Sequence, residues 1–184
     1  EGGAWAFVDW VMRDLSGLEM CRRLRADARI RDAHITVVLE HDDAEDRRRA
    51  LKAGADDYMI GPAGRQEILD RILAVHPTSA RRAFGRVIEA GDLRIDLAAE
   101  QARWASQALA LRPNEFRLLR FMAENPNRVL SRRELIDALG KSGDPEYLRT
   151  VDVWIKRLRF GLRQAGAGGL LRTVHNKGYV FDAP

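Results

Sequence analysis

From Tyr147 to Arg163 the chain reads Tyr-Leu-Arg-Thr-Val-Asp-Val-Trp-Ile-Lys-Arg-Leu-Arg-Phe-Gly-Leu-Arg, and one side of it is equipped to handle a polyanion. At about 100° per residue, Val151, Ile155, Leu158 and Leu162 share a narrow apolar stripe, the face a helix buries against its own domain. The opposite side carries Arg149, Val153, Lys156, Arg157, Phe160 and Arg163. Cations neutralise phosphates, and exposed apolar groups meet thymine methyls. A solvated face normally mixes Glu with Lys and avoids Val and Phe. Taken alone, the pattern is still that of many solvated basic helices, so both readings stay open at this point. Trp154 lies beside the stripe and is expected to pack there.

Other chemistries find no footing. The sequence contains no Gly-rich phosphate loop, no metal-ligand spacing and no nucleophile–base pair, so an enzyme is not expected. With 184 residues and 46% hydrophobic content, the chain is long and apolar enough for two small folded domains. It has no apolar run of about 18 residues and no charged-then-apolar leader, so no membrane association and a cytoplasmic location are expected. The single cysteine, Cys21, reads as a half-buried spacer in a helix. Charge is unevenly placed: residues 1–78 hold 12 Lys/Arg and 15 Asp/Glu, and the remainder holds 19 and 12, giving −3 and +7. The basic half is the candidate for a polyanion partner.

The elements that must position these groups fall into two series. In the first, residues 4–9 read as a strand ending in Asp9, and Ser16-Gly-Leu-Glu19 starts a helix with a capping box. Residues 35–39 and 58–60 are further strands; residues 44–53, stopped by Gly54, and 65–75 are helices. The β-α-β-α-β-α order predicts a parallel sheet flanked by helices, with its functional crevice at the carboxyl ends of the strands. Residues 76–85, with Pro, Ser and Gly, read as the joint, giving a first domain over 1–77, a linker over 78–85 and a second domain over 86–184.

In the second series, residues 87–88, 93–95, 102–104 and 108–111 are short strands suited to an antiparallel sheet. Pro113 opens a helix that Asn125-Pro-Asn127 ends, and Ser131-Arg-Arg-Glu134 caps another that Gly140 stops. After the helix described first, residues 170–174 and 179–181 flank His175-Asn-Lys-Gly178, which predicts a hairpin.

In the first series, Phe7-Val-Asp9-Trp10, Leu15-Ser-Gly-Leu18, Gly54-Ala-Asp-Asp-Tyr58 and Pro62 resemble the later two-thirds of a response-regulator receiver domain. The resemblance implies a partial flavodoxin-like α/β fold with Asp9 at the phosphoacceptor position, fed by a histidine kinase with Mg²⁺. The acidic pair that holds Mg²⁺ in the family would precede residue 1. The family's lysine before the proline is Gly61, and its Thr or Ser falls near Glu40 and His41. Phosphoryl transfer depends on cations that neutralise developing charge. Weak or absent phosphorylation is therefore expected, with no cofactor, Mg²⁺ entering only if the receiver is still phosphorylatable. OmpR/PhoB receivers dimerise through their last two helices and the intervening strand, and Arg47, Asp56, Asp57, Glu67 and Arg71 match those positions. A dimer face is the reading preferred here over local surface charges. Arg47-Arg48-Arg49 adjoins Asp42, Asp43, Glu45 and Asp46 and reads as a solvated helix face.

The second series resembles the OmpR/PhoB effector domain, an α+β winged helix-turn-helix, over nearly all of 86–184. Four blocks carry the likeness: Leu111-Arg-Pro-Asn-Glu-Phe-Arg-Leu-Leu119, Arg128-Val-Leu-Ser-Arg-Arg-Glu-Leu135, Arg149-Thr-Val-Asp-Val-Trp-Ile-Lys-Arg-Leu-Arg159 and Thr173-Val-His-Asn-Lys-Gly-Tyr179. It implies that Arg157 reaches bases, where a guanidinium bonds guanine O6 and N7 together. By the same resemblance Arg149, Thr150, Lys156 and Arg159 lie at or beside phosphate contacts, Val153 meets a thymine methyl, and Arg132 meets phosphate at a helix N-terminus. In the wing, Thr173 matches a backbone contact. His175 replaces a minor-groove arginine, and Lys177 stands next to it. The loop over 141–147, with Asp144 and Glu146, matches a segment that touches RNA polymerase in relatives; an ordinary polar loop fits equally. The expected function is a dimeric, sequence-specific regulator of transcription binding double-stranded DNA, with an atypical receiver independent of phosphorylation. The alternative is a conventional regulator gated by phosphorylation of Asp9.

Overall fold

The computed structural model describes residues 4–75, 87–141 and 145–184, and the expected linker at 78–85 lies outside them. The chain divides into two compact units, Glu1–Ile72 and Leu73–Pro184. Among the described residues no helix is long and apolar enough to cross a membrane.

The first unit is a three-stranded parallel sheet in the order β1 (Trp5–Asp9), β2 (His34–Leu39), β3 (Asp57–Ile60). All of β2 is buried, as a central strand covered on both faces must be. Three helices alternate with the strands: α1 (Gly17–Ala26), α2 (Ala44–Ala53) and α3 (Arg65–Val75). Ser16 caps α1 by accepting the Glu19 N–H, and Asp43 caps α2 by accepting those of Glu45 and Asp46. Gly54 ends α2 at φ 109°, a left-handed conformation that suits glycine. Cys21 is fully buried, deeper than its half-polar helix suggests, because it lies in the α1 face toward the sheet.

Two acidic residues expected on a surface are inside. Asp56 is 1% exposed; its Oδ2 accepts the Ile35 N–H at 3.0 Å and pairs with Arg25. Arg25 also donates to the carbonyls of Gly54 (2.7 Å), Arg31 (2.8 Å) and Ala33 (2.6 Å). A buried carboxylate satisfied in this way ties α1 to the loops around β2 and β3. Asp57 is also buried, with Arg71 of α3 on its Oδ2 at 3.2 Å.

The second unit opens with an antiparallel sheet of β4 (Val87–Ala90), β5 (Leu93–Asp96), β6 (Gln101–Trp104) and β7 (Gln107–Ala108). The last strand is shorter than the expected 108–111. The Leu109 N–H still reaches the Ala102 carbonyl at 2.8 Å, but Pro113 starts α4 (Pro113–Glu124) and draws the chain out of the sheet. Next come α5 (Arg132–Ala138), α6 (Pro145–Gln164) and the hairpin β8 (Leu171–Val174) and β9 (Gly178–Phe181). Ser131 and Glu134 form the expected reciprocal capping box of α5. Val151, Ile155, Leu158 and Leu162 of α6 are all buried against α4 and α5, joined by Tyr147 and Trp154.

The hairpin is anchored at its base. Leu130, just before α5, exchanges backbone bonds with Tyr179 of β9 at 2.8 and 2.9 Å. Gly178 makes that approach possible: its φ is +147°, and a Cβ there would run into the Leu130 carbonyl. Gly178→Ala is expected to lower the stability of this unit by roughly 1–3 kcal/mol through strain and a broken bridge. Urea unfolding of the variant against wild type measures it, and an unchanged midpoint would contradict the anchoring role.

Candidate nucleic-acid interface

With the apolar stripe of α6 buried, helical geometry turns the opposite face outward. Val153 is 42% and Phe160 65% exposed, Arg149 is 73% exposed, and Lys156 and Arg163 are also exposed. The side chains of Lys156 and Arg163 form no hydrogen bond or ion pair among the described residues. Among the described residues Arg149 has only a long contact of 3.9 Å with Glu146. Arg157 lies on one flank and is half-buried. Near the hairpin turn, Thr173, His175 and Lys177 are exposed. The structure therefore assembles a cationic face with two apolar groups on it and a hairpin from the same unit.

Several expected contacts are already committed elsewhere. Thr150 is buried, and its hydroxyl donates to the Glu146 carbonyl at 3.0 Å, so it closes a turn of its own helix instead of facing outward. The Glu146 side chain is only 12% exposed, poorly placed for a partner protein, and Asp144 lies outside the described residues. Arg132 donates through Nε and Nη2 to the two carboxylate oxygens of Asp152 at 2.8 and 3.1 Å. Arg159 donates to the Thr173 hydroxyl at 2.5 Å and the Leu171 carbonyl at 3.3 Å.

Both guanidiniums lie over the Tyr179 ring, 5.4 and 5.5 Å from its centroid, and the Tyr179 hydroxyl donates to Asp152 at 2.6 Å. Asp152 and Tyr179 were not among the residues singled out from the sequence. The available signal was that Asp152 is the one acid between Arg149 and Arg163.

In the first unit, Asp9 is exposed at the carboxyl end of β1, while Glu40 and Gly61 directly follow the ends of β2 and β3. The Gly61 N–H donates to the Leu39 carbonyl at 2.7 Å. A Cβ at Gly61 would meet Val38 Cγ1 at 3.0 Å and the Leu39 carbonyl at 3.3 Å. The place where the family puts a lysine is therefore tight as well as uncharged. The segment that follows Asp9 lines a cavity of about 330 Å³ with Trp10, Val11, Met12, Leu15, Ser16 and Leu18, none of them cationic. Among the described residues no group of three or more His, Cys, Asp and Glu could hold a metal ion.

The expected dimer contacts are satisfied within the chain. Arg47 pairs with Asp42 and sits over Tyr58, Asp56 with Arg25, Asp57 with Arg71, and Glu67 accepts the Gly64 N–H at 3.0 Å. Burial removes Asp56 from any intermolecular pair.

Tyr179 gives the interface a titration signature. Burial pushes its hydroxyl up to about 12, the Asp152 carboxylate adds to the rise, and the neighbouring arginines oppose it. A group raised in the folded state stabilises the fold fully below its unfolded value, near 10, and that contribution is lost as pH climbs through the folded value. Tyrosinate absorbance of the native protein should therefore lose a late-titrating component in Tyr179→Phe. A titration curve unchanged by the substitution would contradict the raised value at Tyr179.

Two family models match the chain: "Response regulator receiver domain" over residues 5–73 and "Transcriptional regulatory protein, C terminal" over 106–181. The phosphate regulon transcriptional regulatory protein PhoB of Rhizobium meliloti is 33% identical over 178 residues, 96% of this chain and 78% of the relative. The PhoB of Escherichia coli is 33% identical, covering 95% and 76%. The response regulator PmrA of Pseudomonas aeruginosa is 36% identical, covering 92% and 73%. A cysteine-to-serine variant of RitR shares the fold, with a TM-score of 0.61 at 20% identity over 98% of this chain and 80% of that one. A parallel-sheet receiver unit, short of its first elements, followed by a winged helix-turn-helix whose outward helix is cationic places this chain in the OmpR/PhoB family of DNA-binding response regulators.

Proposed function

We propose that the chain binds duplex DNA with α6 in the major groove and the β8–β9 hairpin along the neighbouring backbone, as a dimer on repeated half-sites. The observation that carries this reading is the outward face of α6, where Lys156, Arg163 and Arg149 surround Val153 and Phe160. Cations there neutralise phosphates, and the apolar pair suits base methyls and sugars. Arg157 on the flank is the base-reading candidate, and His175 and Lys177 are the wing's contribution. A helix serving only as a protein-binding surface would show little dependence on salt.

Selection from a random duplex pool yields the preferred site and the half-site spacing together. On that site Arg157→Ala is expected to cost roughly 1–3 kcal/mol and to relax preference at one or two base positions. Lys156→Ala weakens all sequences alike and lowers the salt slope by about one. If both variants bind as wild type does, α6 does not dock in this way.

We further propose that the receiver unit works without a phosphoryl switch. The support is local: Asp9 has a carboxylate, Glu40, after the adjacent strand, and an uncharged glycine where the family's lysine stands. Charge developing on a phosphoryl group would find no cation among these residues. Incubation with acetyl phosphate and Mg²⁺, followed by intact mass, is expected to show no stoichiometric addition. Full modification that disappears in Asp9→Asn would instead establish the gated reading.

A further inference from the structure

Asp152 stands where a DNA-binding surface has least use for an acid. It is exposed (47% of its side chain) in a helix whose other charges from Arg149 to Arg163 are all positive, and phosphates brought to that face would meet it unfavourably. The structure shows what it does in the unbound protein. It takes two donors of Arg132 from α5 and the Tyr179 hydroxyl from β9, while Arg159, also over the Tyr179 ring, reaches Thr173 in β8. One carboxylate on α6 thus joins the start of α5 and both strands of the hairpin into a single cluster.

We propose that Asp152 is a positioning residue that sets sequence discrimination: it withholds Arg132 from the phosphate backbone and holds the hairpin against α6. The proposal rests on the DNA-binding reading above. Non-specific binding is almost wholly electrostatic and tolerates a loose wing, so it would profit from a released Arg132. Specific binding needs α6 and the hairpin to engage together in one register, so it profits from the clamp. A bidentate carboxylate in a partly exposed site is well suited to this exchange, because it restrains the guanidinium without burying it.

The test uses the full chain with a labelled duplex recovered by selection and a shuffled duplex of the same composition, both titrated across a range of KCl. Asp152→Asn keeps the shape and an oxygen for the Tyr179 hydroxyl while removing the charge. It is expected to bind the shuffled duplex more tightly, with a salt slope steeper by about one. The ratio of selected to shuffled affinity should fall roughly tenfold, the size of a coupling between neighbouring groups. Adding Arg132→Ala should return the slope to the wild-type value, which a merely destabilised hairpin would not do. Tyr179→Phe cuts the hairpin's tie and leaves the ion pair, so the ratio falls with no change in slope; it also tests the clamp if Asp152→Asn does not fold.

A wild-type slope and ratio in Asp152→Asn, a slope gain that survives Arg132→Ala, or an unchanged ratio in Tyr179→Phe overturns the proposal. Wild-type protein that binds neither duplex in a salt-dependent way overturns the DNA reading and this proposal with it. Salt-dependent wild-type binding beside an unaltered Asp152→Asn overturns only the role of Asp152.

Discussion

Burial of one stripe of α6 decides which groups this protein can offer to a partner. Val151, Trp154, Ile155, Leu158 and Leu162 are fully enclosed, and each such side chain contributes about 1.5–3 kcal/mol on leaving water. Rotating the helix to bury a different face would forfeit several of these contributions and sink Lys156 or Arg163, whose charges have no partner on the described residues to offset desolvation. The outward set is therefore fixed by what packs inward. Lys141, laid over the rings of Tyr147 and Trp154 at 4.9 and 5.8 Å, closes the same core from the side of the α5–α6 connection.

Once the helix is fixed, its cations differ by how far the fold has already used them. Arg132 and Arg159 are tied into the cluster around Tyr179; Lys156, Arg163, His175 and Lys177 are not. A guanidinium already bonded to a carboxylate contributes less to counterion release than a solvated ammonium, so counting basic residues overstates the electrostatic share of binding. It understates geometry, since a tied arginine presents its remaining donors in a fixed direction.

Much of this was legible in the sequence where a local rule sufficed. The β-α order, the caps at Ser131 and Gly54, and the stripe of α6 follow from period and capping chemistry, and the structure has each of them. Charge was harder to read. Asp56 and Asp57 look like a surface pair in Gly-Ala-Asp-Asp-Tyr, yet Asp56 is enclosed by Arg25 from a helix distant in sequence, which no periodicity reveals. Thr150 failed for the opposite reason: its helical angle lies near the edge of the stripe, and a hydroxyl there bonds back to its own helix as readily as it faces solvent. Asp152 has a signal of a different kind, being the one acid among the cations from Arg149 to Arg163.

Every group assigned to the DNA-binding face, from Arg132 to Lys177, lies in the unit Leu73–Pro184, and the packing and hydrogen bonds that orient them come from α4, α5, α6 and the hairpin of that unit. In the proposed reading the receiver unit has no site to build, and its control is over access to the face or the effective concentration of a second copy. Joining two weak half-site contacts through a dimer raises occupancy without one new DNA contact, provided the spacing of the copies matches the spacing on the duplex. A receiver without a working phosphoryl site is compatible with that duty, because holding two copies together requires complementary surface and not a reactive aspartate.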